Sequence, residues 1–150
     1  MRRLRHVVTW GVAALGVMAL VGGARLTAQG GPVARLYYLL SAATTNATVV
    51  TGCAPTALAG VELFNLGTTP RYVRFYNTCT TPSETNTPVL VLPIPGVPAS
   101  TAATLGQTSF TPVTPARFPV GLSFRITNAA DVADTGPAAA GEVIVNLVYY

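Results

Sequence analysis

Lysine is absent from this 150-residue chain, and histidine and tryptophan occur once each, as His6 and Trp10. Charge is scarce as well, at 9% of residues, and the acids number only five: Glu62, Glu84, Asp131, Asp134 and Glu142. Each shortage removes a class of chemistry. Beyond the first residues there is no imidazole to take a proton from a serine or cysteine nucleophile, so Ser-His-Asp and Cys-His mechanisms are excluded there. Two cysteines and no further histidine leave no zinc ligand set, and a phosphate-cradling loop lacks its lysine. A carboxylate pair for glycoside hydrolysis remains formally available, but nothing in the spacing of the five acids marks a cleft. The chain reads as no enzyme, with no cofactor.

The nine arginines do not make the protein basic where it matters. Arg2, Arg3, Arg5 and Arg25 lie in the first 25 residues; from residue 29 onward five arginines face five acids and the region is neutral. Nucleic-acid binding draws its affinity from clustered cations on phosphates, so no nucleic-acid partner is expected.

Half of the residues are hydrophobic, and 14 glycines and 12 prolines punctuate the apolar runs. This is the composition of a turn-rich folded domain, about one domain long. The first 28 residues have the order of a secretory signal peptide: a basic start, an apolar run from Val7 to Val21, and Leu26-Thr27-Ala28 before a cleavage point. Extending the run through Gly22, Gly23 and Ala24 reaches the lower limit for a membrane anchor, the alternative reading and the chain's single route to a membrane. The expected division is therefore 1–28 as signal or anchor helix, 29–40 as an N-terminal segment and 41–150 as the folded domain. In an exported chain Cys53 and Cys79 read first as a disulfide closing a loop of about 25 residues; the competing reading is two buried thiols.

Periodicity along the domain is two, the signature of strands. Pro119 to Thr127 alternates, with Val120, Leu122, Phe124 and Ile126 on a core face and Ser123, Arg125 and Thr127 on a solvent face. Arg71 to Asn77 repeats the pattern, with Val73 and Phe75 inward and Tyr72, Arg74 and Tyr76 outward. Further strands are expected at Arg35–Leu40, Ala47–Thr51, Leu58–Leu66, Val89–Ile94, Leu105–Phe110 and Glu142–Tyr150, the last apolar on both faces as in a central strand. Six to eight short strands in about 120 residues predict a single antiparallel β-sandwich, immunoglobulin-like or jelly-roll. The two long connections are Val97 to Arg117 and Asn128 to Gly141.

Two places invite a ligand. Tyr72, Arg74 and Tyr76 form an outward stripe suited to a glycan or a protein, since tyrosine and arginine bring large contact area and hydrogen bonding; the alternative is an ordinary strand face. Asp131 and Asp134 share a loop and form a weak calcium candidate, against which stands a plain solvated turn. Gly121-Leu122-Ser123 matches the start of a nucleophile elbow, but the alternation sets Ser123 on a strand.

The run from Ser41 to Val50, then Val61-Glu62-Leu63-Phe64-Asn65 and Tyr72-Val73-Arg74-Phe75-Tyr76-Asn77, resembles a group of small proteins of tailed-bacteriophage genomes. Thr87 to Pro95, Phe118 to Leu122, Ala130-Asp131 through Asp134-Thr135, and Val143 to Tyr149 match that group in order and rough spacing. The resemblance covers about residues 41–150. It implies a virion-associated or surface-exposed β-sandwich without catalytic residues, whose partners are further copies, a larger particle or a surface glycan. The leader and the cysteine pair depart from the group, and together they favour an exported cell-surface relative over a capsid component assembled in the cytoplasm.

Overall fold

The computed structural model describes residues 32–42, 46–98, 105–131, 134 and 136–150; the signal or anchor helix expected over 1–28 lies outside them. Among the described residues there is no helix, and nine strands form two antiparallel sheets. The strands are β1 (Arg35–Leu40), β2 (Ala47–Val49), β3 (Thr56–Asn65), β4 (Arg71–Asn77), β5 (Leu90–Ile94), β6 (Gly106–Phe110), β7 (Ala116–Phe118), β8 (Leu122–Thr127) and β9 (Val143–Tyr149). Sheet A runs β1-β9-β3-β6, with β7 also on β3; sheet B runs β2-β8-β4-β5.

Alternation explains the core. On β4, Val73 and Phe75 point inward to meet Phe124 and Ile126 of β8 in the same sheet, and Val61, Leu63, Val143, Val145 and Leu147 face them from sheet A; all are buried. Phe75 and Phe124 stack tilted at 6.0 Å, and Tyr37 of β1 meets Phe124 edge-on at 5.9 Å. On β3 the inward residues are Thr56 and Leu58, then Val61, Leu63 and Asn65. The phase changes because the register with β9 shifts between Leu58 and Gly60, a bulge that inserts one residue and moves every later side chain to the other face.

Four expectations need correction. Residues 35–40 are not a segment ahead of the sandwich: β1 pairs with β9 along its whole length and is the edge of sheet A. The connection from Val97 to Arg117 hides β7 beside the expected strand at 105–110. β6 and β7 occupy successive halves of the same edge of β3, interrupted where Pro112 and Pro115 remove ladder donors. Val120 is exposed and precedes β8, so the strand is shorter than its pattern. The second face of β8 is not solvated: Ser123 and Thr127 are buried and Arg125 is half-buried, because β8 is central in sheet B and the segment after it folds back over that face.

Polar contacts gather at one end of the sandwich, around the entry to β9. Ser41 Oγ donates to the Ala139 carbonyl at 2.7 Å and accepts from the amides of Glu142 and Val143, while Asn46 Nδ2 donates to the Ala138 carbonyl at 3.2 Å. Arg71 of sheet B holds Glu142, at the entry to β9 of sheet A, in a two-pronged ion pair: Nη2 to Oε1 at 2.8 Å and Nε to Oε2 at 3.0 Å. Cys53 and Cys79 are disulfide-bonded, tying the β2–β3 loop to the chain leaving β4.

Candidate interaction surface

The tyrosine and arginine stripe lies on the outer face of β4, as the alternation requires, but it is not an exposed surface. Arg74 is 0% and Tyr76 1% exposed, and Tyr72 is half-buried. The cover above Arg74 is the segment after β8. Its Nη2 donates to the carbonyls of Ala129, at 2.7 Å, and of Asp131, and its Nη1 to that of Asp134 at 3.4 Å. A buried guanidinium needs several acceptors to offset its lost hydration, and the carbonyls of Ala129, Asp131 and Asp134 supply them.

The same arrangement settles the geometry around Asp131 and Asp134. The loop carbonyls that would face a calcium ion face Arg74 instead, and the Asp134 carboxylate accepts the amides of Ala129 and Gly136. Partial burial raises the Asp134 carboxyl, but the amides of Gly136 and Ala129 and the charge of Arg74 outweigh it and hold the group below the ordinary aspartate range. No cluster of three acidic, histidine or cysteine side chains suited to a metal occurs among the described residues. Ser123 is buried within β8 and its hydroxyl donates to the Tyr76 carbonyl at 3.5 Å, so it sits on a plain strand.

Chemistry is gathered on a different face, the outside of sheet A. The register aligns three rows across its strands. Tyr38 of β1 is opposite Asn146 of β9, which is opposite Glu62 of β3, which is opposite Ser109 of β6. On one side runs Leu36, Val148 and Gly60; on the other Leu40, Ile144, Phe64 and Gln107. A polar row with a tyrosine at its end is thus flanked by two apolar rows. Gln107 Nε2 donates diagonally to Glu62 Oε1 at 3.2 Å. Because Gly60 has no side chain, the face dips into a shallow open depression of about 570 Å³, walled by Tyr38 and Leu36 on one side and by Glu62 and Ser109 on the other.

No other described residue covers the apolar part of this face. Leu36, Tyr38 and Leu40 are 81%, 64% and 46% exposed, and a cluster of large apolar side chains left in water marks an interaction site more often than isolated ones do. The inner side of β1 is different: Tyr37 is partly buried, and loss of hydration there pushes its hydroxyl above the ordinary tyrosine range. No protein-family model matches this chain, and no curated protein matches it in sequence. The candidate interaction residues therefore rest on geometry alone. Sequence reading missed Tyr38, Glu62, Ser109 and Asn146 as a group because each is one outward position on a different strand, and only the strand order and register bring them into one row.

Proposed function

We propose that this protein is a non-catalytic, exported structural or surface component whose working part is the outer face of sheet A. The observation that carries the reading is the row of exposed apolar residues Leu36, Tyr38 and Leu40 on a six-residue edge strand, a surface that water disfavours and a further protein copy or a larger particle would cover. The strand order adds support for a jelly roll as the form of the sandwich. Successive strands from β1 to β4 alternate between sheets, and β1-β9-β3-β6 against β2-β8-β4-β5 is the order that two nested Greek keys generate. Jelly rolls build capsid and lectin domains, although a fold by itself does not carry a function. The resemblance to tailed-phage proteins points the same way. The Cys53–Cys79 bridge supports passage through an oxidising compartment.

Expression of the full chain, cell fractionation and intact-mass measurement with and without reduction test this reading. A product outside the cytoplasm with a reducible bridge, sedimenting as more than one chain, is the expected result. A cytoplasmic product with free thiols that remains a monomer overturns it.

A second reading has its own observation. The row Tyr38, Asn146, Glu62 and Ser109 sets an aromatic ring beside an amide, a carboxylate and a hydroxyl along an open trough, which suits a saccharide chain lying across the sheet. In this reading the protein is a surface-glycan binder, and the glycan contact has moved from the Tyr72 stripe to the Tyr38 row. Polysaccharide retention that is lost in Tyr38→Ala and Asn146→Ala supports it; retention unchanged in both removes it.

A further inference from the structure

We infer that two copies of this chain associate by antiparallel pairing of their β1 strands about a twofold axis through Tyr38, joining two sheets A into one continuous sheet. The inference rests on the structural reading above and names the edge and register through which it acts.

The first observation is that β1 is the one long unprotected edge among the described residues. Sheet edges are normally blunted by shortness, proline, charge or cover. In sheet B, β2 has three residues, and β5 carries Pro93, whose carbonyl is already taken by Thr108 Oγ1 at 2.6 Å. The other edge of sheet A is divided into β6 and β7 by prolines. β1 has none of these devices among the described residues: from Leu36 to Leu40 it is uncharged, free of proline and glycine, and apolar, with two tyrosines that favour a strand.

The second observation is the phase of the backbone. Ser41 N–H donates to the Val143 carbonyl at 2.8 Å, in the register that sets Arg35 opposite Tyr149. Hydrogen-bonded pairs alternate along an antiparallel ladder, so residues 35, 37, 39 and 41 turn their backbone groups toward β9. The backbone groups of Leu36, Tyr38 and Leu40 therefore point away from the sheet, at the free edge. The β9–β3 ladder agrees, since Leu66 N–H donates to the Glu142 carbonyl at 2.8 Å and the even residues of β9 face β3.

The third observation is that the strand complements itself. A twofold axis at Tyr38 makes Tyr38 its own partner, in the hydrogen-bonded type of pair that its outward backbone requires. Leu36 then faces Leu40, Tyr37 faces Leu39, and Arg35 faces Ser41, so that apolar residues meet apolar residues and no arginine meets its copy. The pairing gives about six backbone hydrogen bonds and a shared outer row of leucine and tyrosine. Moving the axis to Leu36 sets Leu40 against Pro32, which has no N–H to give, and loses the match.

The test uses the full chain as its expression host processes it. Light scattering across a concentration series is expected to give a dimer, and Tyr38→Lys, which sets two like charges face to face, to raise the dissociation constant by about tenfold or more. Tyr38 is mostly exposed, so that variant is expected to keep the wild-type circular dichroism, and to melt as the wild type does at concentrations where both are monomers. Register is read by cysteine cross-linking, since the native cysteines are already bridged. Tyr38→Cys is expected to form an intermolecular disulfide on mild oxidation, because a hydrogen-bonded antiparallel pair has its Cα atoms about 5.5 Å apart, within disulfide range. Leu36→Cys alone is expected to stay uncross-linked, and Leu36→Cys with Leu40→Cys to cross-link. Equal cross-linking of Leu36→Cys and Tyr38→Cys, or assembly untouched by Tyr38→Lys, overturns β1 pairing while leaving a structural role in place; a chain monomeric at all concentrations and attached to no particle overturns both.

Discussion

Consider the protein with the Cys53–Cys79 bridge opened, by a reductant or by paired Cys53→Ser and Cys79→Ser substitutions. The bridge spans 26 positions, and the loop it closes contains all of β3 and β4, one interior strand from each sheet. In the unfolded chain it forbids the conformations in which those strands drift apart. For a loop of this length the chain-entropy relation gives about 3.5 kcal/mol of stabilisation at 25 °C. With a urea dependence of about 2 kcal/mol per molar for a domain of this size, the unfolding midpoint falls by about 1.7 M. Cys53 is exposed, so a reductant reaches the bridge without prior unfolding, and the assay is a pair of urea titrations followed by circular dichroism. The reduced protein and the double-serine variant are expected to agree, since both release the same constraint. A midpoint within about 0.3 M of the oxidised protein refutes the reasoning. So does a serine variant far less stable than the reduced protein, which would place the effect in local packing.

Other perturbations report on single contacts. Glu142→Gln leaves Arg71 half-buried without its carboxylate and is expected to cost about 2 kcal/mol, with a coupling above about 1 kcal/mol in a double-mutant cycle with Arg71→Met; additive effects would show that the pair ties nothing. Gly121→Ala places a methyl group on the Gly52 carbonyl oxygen beside Cys79, and a thermal melt is expected to show a loss of about 2 kcal/mol; an unchanged melt contradicts that close approach. Asp134 has a carboxyl held low in the folded state, so its contribution is complete above the ordinary aspartate value and disappears as pH falls through the lower folded value. The amide signals of Ala129 and Gly136 are expected to shift together below about pH 4, and Asp134→Asn to abolish the transition; a midpoint at or above the ordinary value contradicts the contacts described.

Strand existence was legible because alternation is a local property. Val73 and Phe75, or Leu122, Phe124 and Ile126, declare an inward face whichever neighbours the strand has. What alternation cannot carry is the phase break at the bulge near Ala59, where two consecutive half-strands each read well and the junction between them reads as noise. Nor could it find β7, whose three residues between prolines are too few to establish a period. The disulfide was legible because two cysteines allow only one pair.

The two outward stripes show why the proposed interaction surface was not legible. Tyr72, Arg74 and Tyr76 on β4, and Leu36, Tyr38 and Leu40 on β1, have the same spacing, and by polarity the first is the better candidate for solvent. Their fates are reversed because exposure belongs to what folds over a strand, not to the strand. β4 is interior to sheet B and lies beneath the segment after β8, and Arg74 is the residue that recruits that segment, its guanidinium requiring the carbonyls of Ala129, Asp131 and Asp134. A cation on a strand face thus drew cover over itself. β1 has no cation beyond Arg35 and is an edge, and among the described residues no loop carbonyls gather on it and no further strand pairs with it. In a domain whose cations and anions balance, we propose that the apolar stripe is the one left for a partner, since an edge strand is where a partner can add to the sheet as well as cover its face.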